Sequence, residues 1–274
     1  MSITYMRRLA TALAFFLHIC VFAQTQTAAP QLTLSLAGSQ TTFHIAERIP
    51  ILLSFTSAEP KRYELNMATY DRSGRMSYEQ FFISPNSGWS DPLYSYFHSA
   101  RGFISGGLTT MRPLTIEPTL IPLDLNEWVR FDKPGEYQIN ISSSRVSDLR
   151  ARVASHIELR SNTISIHIIP ADPAWQQNKL REIQSVLASA PEPNGIAPQP
   201  RRDAVADLRF LQSAAAIRLM TEHIRDDEPS LNFSCAFGLM GLPSKLYGLA
   251  ATELRHRISD PSFPSSSLLI TTLA

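Results

Sequence analysis

At Pro170 the spacing of the apolar residues changes from every second position to the three-and-four spacing of a helix, which commits the two parts of the chain to different secondary structure. Before it, from Gln31 to Ile169, short apolar runs alternate with polar positions and are broken by turn residues, the pattern of half-buried antiparallel strands. Leu32, Leu34 and Leu36 share one face, and Ile49 to Phe55 reads as a second, more buried strand. Arg62 to Tyr70 alternates Tyr63, Leu65 and Met67 against Glu64 and Asn66. Asp71 to Gly74 then supply a hairpin turn, with Gly74 free to take positive φ, and Met76 to Ile83 runs back. In Phe131 to Ser142 the pair Pro134 and Gly135 suits the centre of a type II turn. Tyr137, Ile139 and Ile141 line one face of the strand that follows. Asn162 to Ile169 is the last strand, with Ile164, Ile166 and Ile168 on one side and His167 on the other.

After Pro170, Asp172 is an N-cap with Pro173 at the first helical position, and Leu180, Ile183 and Leu187 form a stripe along Ala174 to Ala190. Pro191 to Pro200 holds four prolines and a glycine and predicts a linker or long loop. Short amphipathic helices are predicted over Asp203 to Leu211, Ala214 to Ile224, Leu231 to Met240, Ser244 to Ile258 and from Ser265 to Ala274. A common offset separates Leu211 from Met240 and Ile217 from Leu246, a trace of repetition.

About seven strands over Gln31 to Ile169, with the Pro134, Gly135, Tyr137 turn, resemble bacterial extracytoplasmic immunoglobulin-like or macroglobulin-like β-sandwiches. Tyr137 sits where the tyrosine corner of such sandwiches ties a turn to a strand. The helical tail resembles HEAT-like repeats through DLRFL at Asp207 to Leu211, AFGLMG at Ala236 to Gly241 and LRHRISDP at Leu254 to Pro261, although its period is shorter than theirs. The expected fold is therefore multidomain, all-β then all-α: an antiparallel immunoglobulin-like sandwich over residues 31–169, a helix and Pro-rich linker over 170–200, and a short α-solenoid of helical hairpins over 201–274. The resemblance to HEAT-like arrays implies protein binding. The final stretch SSSLLITTLA is apolar where a solenoid normally ends in a polar cap. Two readings follow: a partner covers that end, or the chain is the front part of a longer protein.

Arg7 and Arg8 precede the apolar run Leu9 to Ala23, too short for a membrane span and closed by Val21 and Ala23 at small-residue cleavage positions. Residues 1–23 are thus a predicted signal peptide and 24–30 a flexible N-terminus. The mature chain is expected to be periplasmic or secreted, without a transmembrane segment. Ile19 before Cys20 argues against lipid attachment there. Cleavage leaves Cys235 alone, so no internal disulfide is available. The 25 Lys and Arg against 24 Asp and Glu provide no charge excess for binding nucleic acid.

No catalytic signature is present. No histidine pair has zinc spacing, the serine of GFISGG at Gly102 to Gly107 is misplaced for a nucleophile elbow, and Cys235 with His223 or His256 as base is outweighed by the apolar neighbours Phe233, Ala236 and Phe237. The charged groups Arg201–Arg202 and Asp226 to Glu228 read as solvated surface. One segment stands out: Ser84 to Pro113 is long for a sandwich connection and carries Trp89, Tyr94, Tyr96, Phe97 and Phe103 among Gly and Ser, the composition of binding loops. These five are the candidate partner-binding residues, against the alternative that the rings plug one end of the sandwich. The expectation is a non-enzymatic, cofactor-free binding or scaffolding protein for a protein or cell-envelope partner. The alternative is the non-catalytic N-terminal part of a longer secreted hydrolase.

Overall fold

The computed structural model describes residues 29–71, 74–98, 109–151, 155–188, 198–224, 229–263 and 267–273. The predicted signal peptide, Phe103, the acidic group 226–228 and most of the Pro-rich stretch lie outside them.

In chain order the strands are β1 (Gln31–Leu36), β2 (Thr42–His44), β3 (Pro50–Thr56), β4 (Tyr63–Asn66), β5 (Tyr70–Asp71), β6 (Gly74–Arg75), β7 (Glu79–Ser84), β8 (Trp89–Ser90), β9 (Met111–Pro113), β10 (Thr119–Asp124), β11 (Arg130–Phe131), β12 (Gly135–Asp148), β13 (Ser155–Arg160) and β14 (Ile164–Ile169). A first antiparallel sheet has the order β1-β3-β10, and a larger one β2-β14-β12-β4-β9, with β7 and β13 also paired to β12. Strand β12 is the spine: its N-terminal half lies between β14 and β7 and its C-terminal half between β13 and β4. Alternation along the strands places Leu32, Leu34, Ile51, Leu53, Phe55, Ile121 and Leu123 of the small sheet in one core with Tyr63, Leu65, Tyr137, Ile139, Ile141, Val146, Ile166 and Ile168 of the large one. Each such aliphatic or aromatic side chain contributes about 1.5–3 kcal/mol by leaving water.

Three sequence expectations are corrected here. The antiparallel pattern is broken by a parallel ladder in which Thr42, Phe43 and His44 of β2 face His167, Ile168 and Ile169 of β14. These strands are remote in sequence, so no hairpin imposes an antiparallel direction on them. Gly135 is the first residue of β12 at φ 154°, away from the roughly 80° of the third residue of a type II turn. The Arg62–Tyr70 and Met76–Ile83 runs are interrupted after Asn66 and before Glu79, where the Asn66 carbonyl and the Glu79 side chain are committed to a buried arginine. That arginine, Arg145, is fully buried and pairs with the fully buried Glu79; its guanidinium also donates to the Asn66 carbonyl at 3.1 Å and to that of Ala68. Arg145 falls where the β12–β13 register shifts, which releases it from strict alternation.

The described helices are α1 (Tyr94–His98), α2 (Pro173–Leu187), α3 (Gln199–Phe210), α4 (Ala214–Glu222), α5 (Pro229–Met240), α6 (Tyr247–Ile258) and α7 (Ser267–Leu273). Asp172 caps α2 by accepting the Ala174 amide at 2.8 Å, with Pro173 opening the helix. Leu180, Ile183 and Leu187 of α2 share a second core with Val205 and Leu208 of α3, Ile217 and Met220 of α4, Cys235 and Leu239 of α5, Leu254 of α6 and Leu269 of α7. Helix α2 thus packs with the other helices. Arg201 is buried rather than solvated, because its guanidinium donates at 2.8 Å to the Leu187 carbonyl at the end of α2. Arg202 is exposed.

Candidate binding groove

The loop after β7 is organised by Gly88 and Tyr137. Gly88 takes φ 84°, and its carbonyl receives the amides of Asp132 and Lys133 at 2.8 and 3.1 Å. The Tyr137 hydroxyl donates to the Lys133 carbonyl at 2.9 Å, with the Gly88 carbonyl 3.2 Å away, the turn-to-strand tie of a tyrosine corner. This anchors β8 against β11, with Trp89 opposite Phe131. Asp91 then accepts the Leu93 amide at 2.9 Å and the chain enters α1.

The aromatic residues singled out in this loop take different positions. Trp89 is half-buried and its indole donates to the Pro85 carbonyl at 3.1 Å. Tyr94 is 58% exposed and its ring stacks on His98 at 3.9 Å. Tyr96 meets Phe97 and Phe237 of α5 edge-on, with centroids 5.0 and 5.4 Å apart. Phe97 lies under the Arg75 guanidinium at 4.8 Å, and Trp128 receives the same guanidinium at 5.4 Å. Phe103 is outside the described residues. Tyr96 and Phe97 therefore form a wedge between the β-unit and the helices, whereas Tyr94 stands open to solvent.

Beside this wedge opens a groove of about 730 Å³. One wall is Ser90 to Leu93, Ser95, Tyr96 and Arg130. The other is built by α5, α6 and α7, with Leu239, Met240, Tyr247, Ala251, Leu254 and Leu273 as its apolar surface. The volume lies within the roughly 300–1,000 Å³ of small-ligand pockets. Arg130 bridges the walls: Nη1 donates to the Gly241 carbonyl at 3.0 Å, Nη2 to Ser90 Oγ at 3.0 Å and Nε to Asp132 at 2.9 Å.

Behind the groove, arginines stitch the two units together. Arg209 of α3 donates to Glu127 at 2.8 Å and to the Tyr70 hydroxyl at 3.0 Å, and both members of the ion pair are buried. Burial pushes the Glu127 carboxyl above its ordinary pKa, with Arg209 pulling the other way; its Oε2 is buried without a hydrogen-bond partner. Arg48 pairs with Asp124 at 2.6 Å and lies 3.7 and 3.5 Å from Asp203 and Asp207 of α3. Burial likewise raises Asp124, opposed by Arg48. Arg75 donates to the Glu127 carbonyl and pairs with Asp91; burial lowers its pKa, opposed by Asp91. His44 stacks on Trp175 of α2 at 4.7 Å. Sequence reasoning missed these residues because Arg and Glu are ordinarily surface residues. The one local signal was Arg209 within the apolar DLRFL segment.

Cys235 is fully buried, and His256 is exposed at the surface of α6. Among the described residues no group of three or more His, Cys, Asp and Glu side chains could hold a metal ion, and no described helix is long and apolar enough to cross a membrane.

No protein-family description matches the chain, and no curated protein matches it. Solved structures similar to it include two bacterial proteins. BslA, a bacterial hydrophobin, is 13% identical with TM-score 0.22, over 53% of this chain and 96% of that one. The native conformation of E. coli α2-macroglobulin is 12% identical with TM-score 0.26, over 85% of this chain and 17% of that one. Likenesses at this level do not define a fold, and fold does not fix function.

Proposed function

We propose that the protein is a non-catalytic, extracytoplasmic binding module that holds a protein or cell-envelope partner in the groove between its β-unit and its helices. The observation that carries this reading is the groove itself, whose two walls come from different units and whose α1 segment includes Tyr96, one of the aromatics singled out in the sequence. The helices are read as a short solenoid of the HEAT-like kind. The neighbour pattern supports this: α3, α5 and α7 follow one another as one row, and α4 with α6 as the other. The β-unit is read as an immunoglobulin-like or macroglobulin-like sandwich on its two sheets sharing one core and on the Tyr137 tie. Export rests on the Arg7, Arg8 and Leu9 to Ala23 signal pattern.

The test has two arms. N-terminal sequencing of protein recovered from the periplasm or medium should begin at Gln24; a start at Met1 in protein retained inside the cell removes the extracytoplasmic reading. Envelope material captured on the wild-type protein should be lost on a Tyr247→Ala, Met240→Ala double variant of unchanged melting temperature. Retention of the captured partner by that variant takes the groove out of the reading.

A further inference from the structure

We propose that the groove accepts an uncharged, extended segment of a protein partner, anchored by one large apolar side chain; this rests on the groove being the binding site. Among the described lining residues the charges at the mouth already answer one another, which favours a neutral ligand. Among these described residues Arg130 is the cation, and each of its three nitrogens already donates, to Asp132, the Gly241 carbonyl and Ser90. Asp91 is the anion, and its oxygens take the Arg75 guanidinium and the Leu93 amide. A charged ligand group would lose water here and have to compete with the existing Arg130–Asp132 and Arg75–Asp91 pairs, a loss that neutral groups avoid.

The remaining lining specifies the neutral ligand. Leu239 and Leu254 are buried, and Met240 and Leu273 are half-buried beside them, so the helical wall presents an aliphatic surface suited to an aliphatic or aromatic side chain. The hydroxyls of Ser95 and Tyr247 at the rim both donate and accept, matching a peptide group, which offers one N–H and one carbonyl. A glycan is the less suited occupant. It needs broad ring faces, and the Tyr96 ring is held edge-on to Phe97 and Phe237, leaving Tyr247, 49% exposed, as the open aromatic of the lining.

The experiment uses the full mature chain with labelled methyl groups and follows Ala251, Leu254 and Thr272 by NMR. The probes are the neutral dye Nile red, the blocked peptide acetyl-Gly-Ser-Leu-Phe-Ser-Gly-amide, the same peptide with its Leu-Phe replaced by Asp-Asp or by Lys-Lys, and neutral cellotetraose. The expected result is that dye and neutral peptide shift these methyls, and that both charged peptides bind at least about tenfold more weakly, as does the neutral peptide to Ala251→Trp and to Thr272→Arg. Each variant's melting temperature is measured, and the variant that keeps the wild-type value decides. If the dye binds but the charged peptides match the neutral one, or cellotetraose binds where the peptide does not, the inference is overturned while the groove stands as a site. If no probe, dye included, moves the methyls, the groove itself is not a site and both readings fall.

Discussion

The Tyr137 hydroxyl and Gly88 occupy one another's space: a Cβ built on Gly88 would lie 2.6 Å from that oxygen, on a backbone at φ 84°. Gly88→Ala should therefore cost about 1–3 kcal/mol, from strain at positive φ plus the clash. Tyr137→Phe should cost about 1 kcal/mol for the lost hydrogen bond. In urea melts the double variant should be more stable than the sum of the single losses, because removing the hydroxyl removes the clash; strict additivity would show that the two do not touch in solution. Tyr137 was legible in the sequence because its turn is local. Gly88 was not, since it stands 49 residues from its partner and no nearby residue announces the approach. The buried Arg145–Glu79 pair was hidden for a different reason, because an arginine in a polar stretch of strand reads as surface. Arg145→Met should lose about 3–5 kcal/mol, as it strands a carboxylate and two carbonyls in the core, whereas Arg145→Met with Glu79→Leu should recover part of that loss.

Elements with strong local chemistry were readable, and those created by distant contacts were not. Helix α2 carries its own start signal in Asp172 and Pro173 and its own stripe, and all three features hold in the structure. Asp172→Ala should weaken the helix end by about 1 kcal/mol, seen as faster amide exchange at Ala174 and Trp175. Equal exchange in variant and wild type would show that the cap does not contribute. Strand β2, by contrast, has three residues and exists because Ile168 and its neighbours present an edge to it. The aromatic segment was recognisable as unusual by composition, yet the inward turn of Tyr96 and Phe97 depends on Phe237, far along the chain. At Arg201 the pattern misled, because the guanidinium satisfies the end of the preceding helix and does so below the surface.

At the scale of the molecule, the seam between the units sets how stability responds to pH. Glu127 and Asp124 are raised by burial, so the folded state holds their protons more tightly than the unfolded chain does. Their contribution is complete at and below the ordinary carboxylate range of about pH 4 and is lost as pH rises through the raised values. Asp148, held low by hydrogen bonds from Arg62 and the Arg150 backbone, acts in the opposite sense and loses its contribution as pH falls through its lowered value. Melting temperatures taken from about pH 4.5 to 8 should therefore decline along the rising branch, and more shallowly in Glu127→Gln. An unchanged slope in that variant would remove Glu127 as a source. The helical unit is also tight sterically where α5 meets α3 and α4: a Cβ on Gly238 would stand 2.9 Å from the Arg209 carbonyl and 2.6 Å from the Met220 sulfur. Gly238→Ala should push α5 from α3 at a cost of about 1–3 kcal/mol.

The parallel ladder between β2 and β14 also sets a timetable. Strand β2, near the start of the β-unit, acquires this partner only after everything up to Ile169 has been made, so this edge of the larger sheet cannot close before then. Such remote pairing requires a long loop to be ordered before the contact returns any free energy, which adds an entropic cost to closure. A chain shortened before Ile164 would keep an open β12 edge where β14 belongs, a template for pairing with other copies.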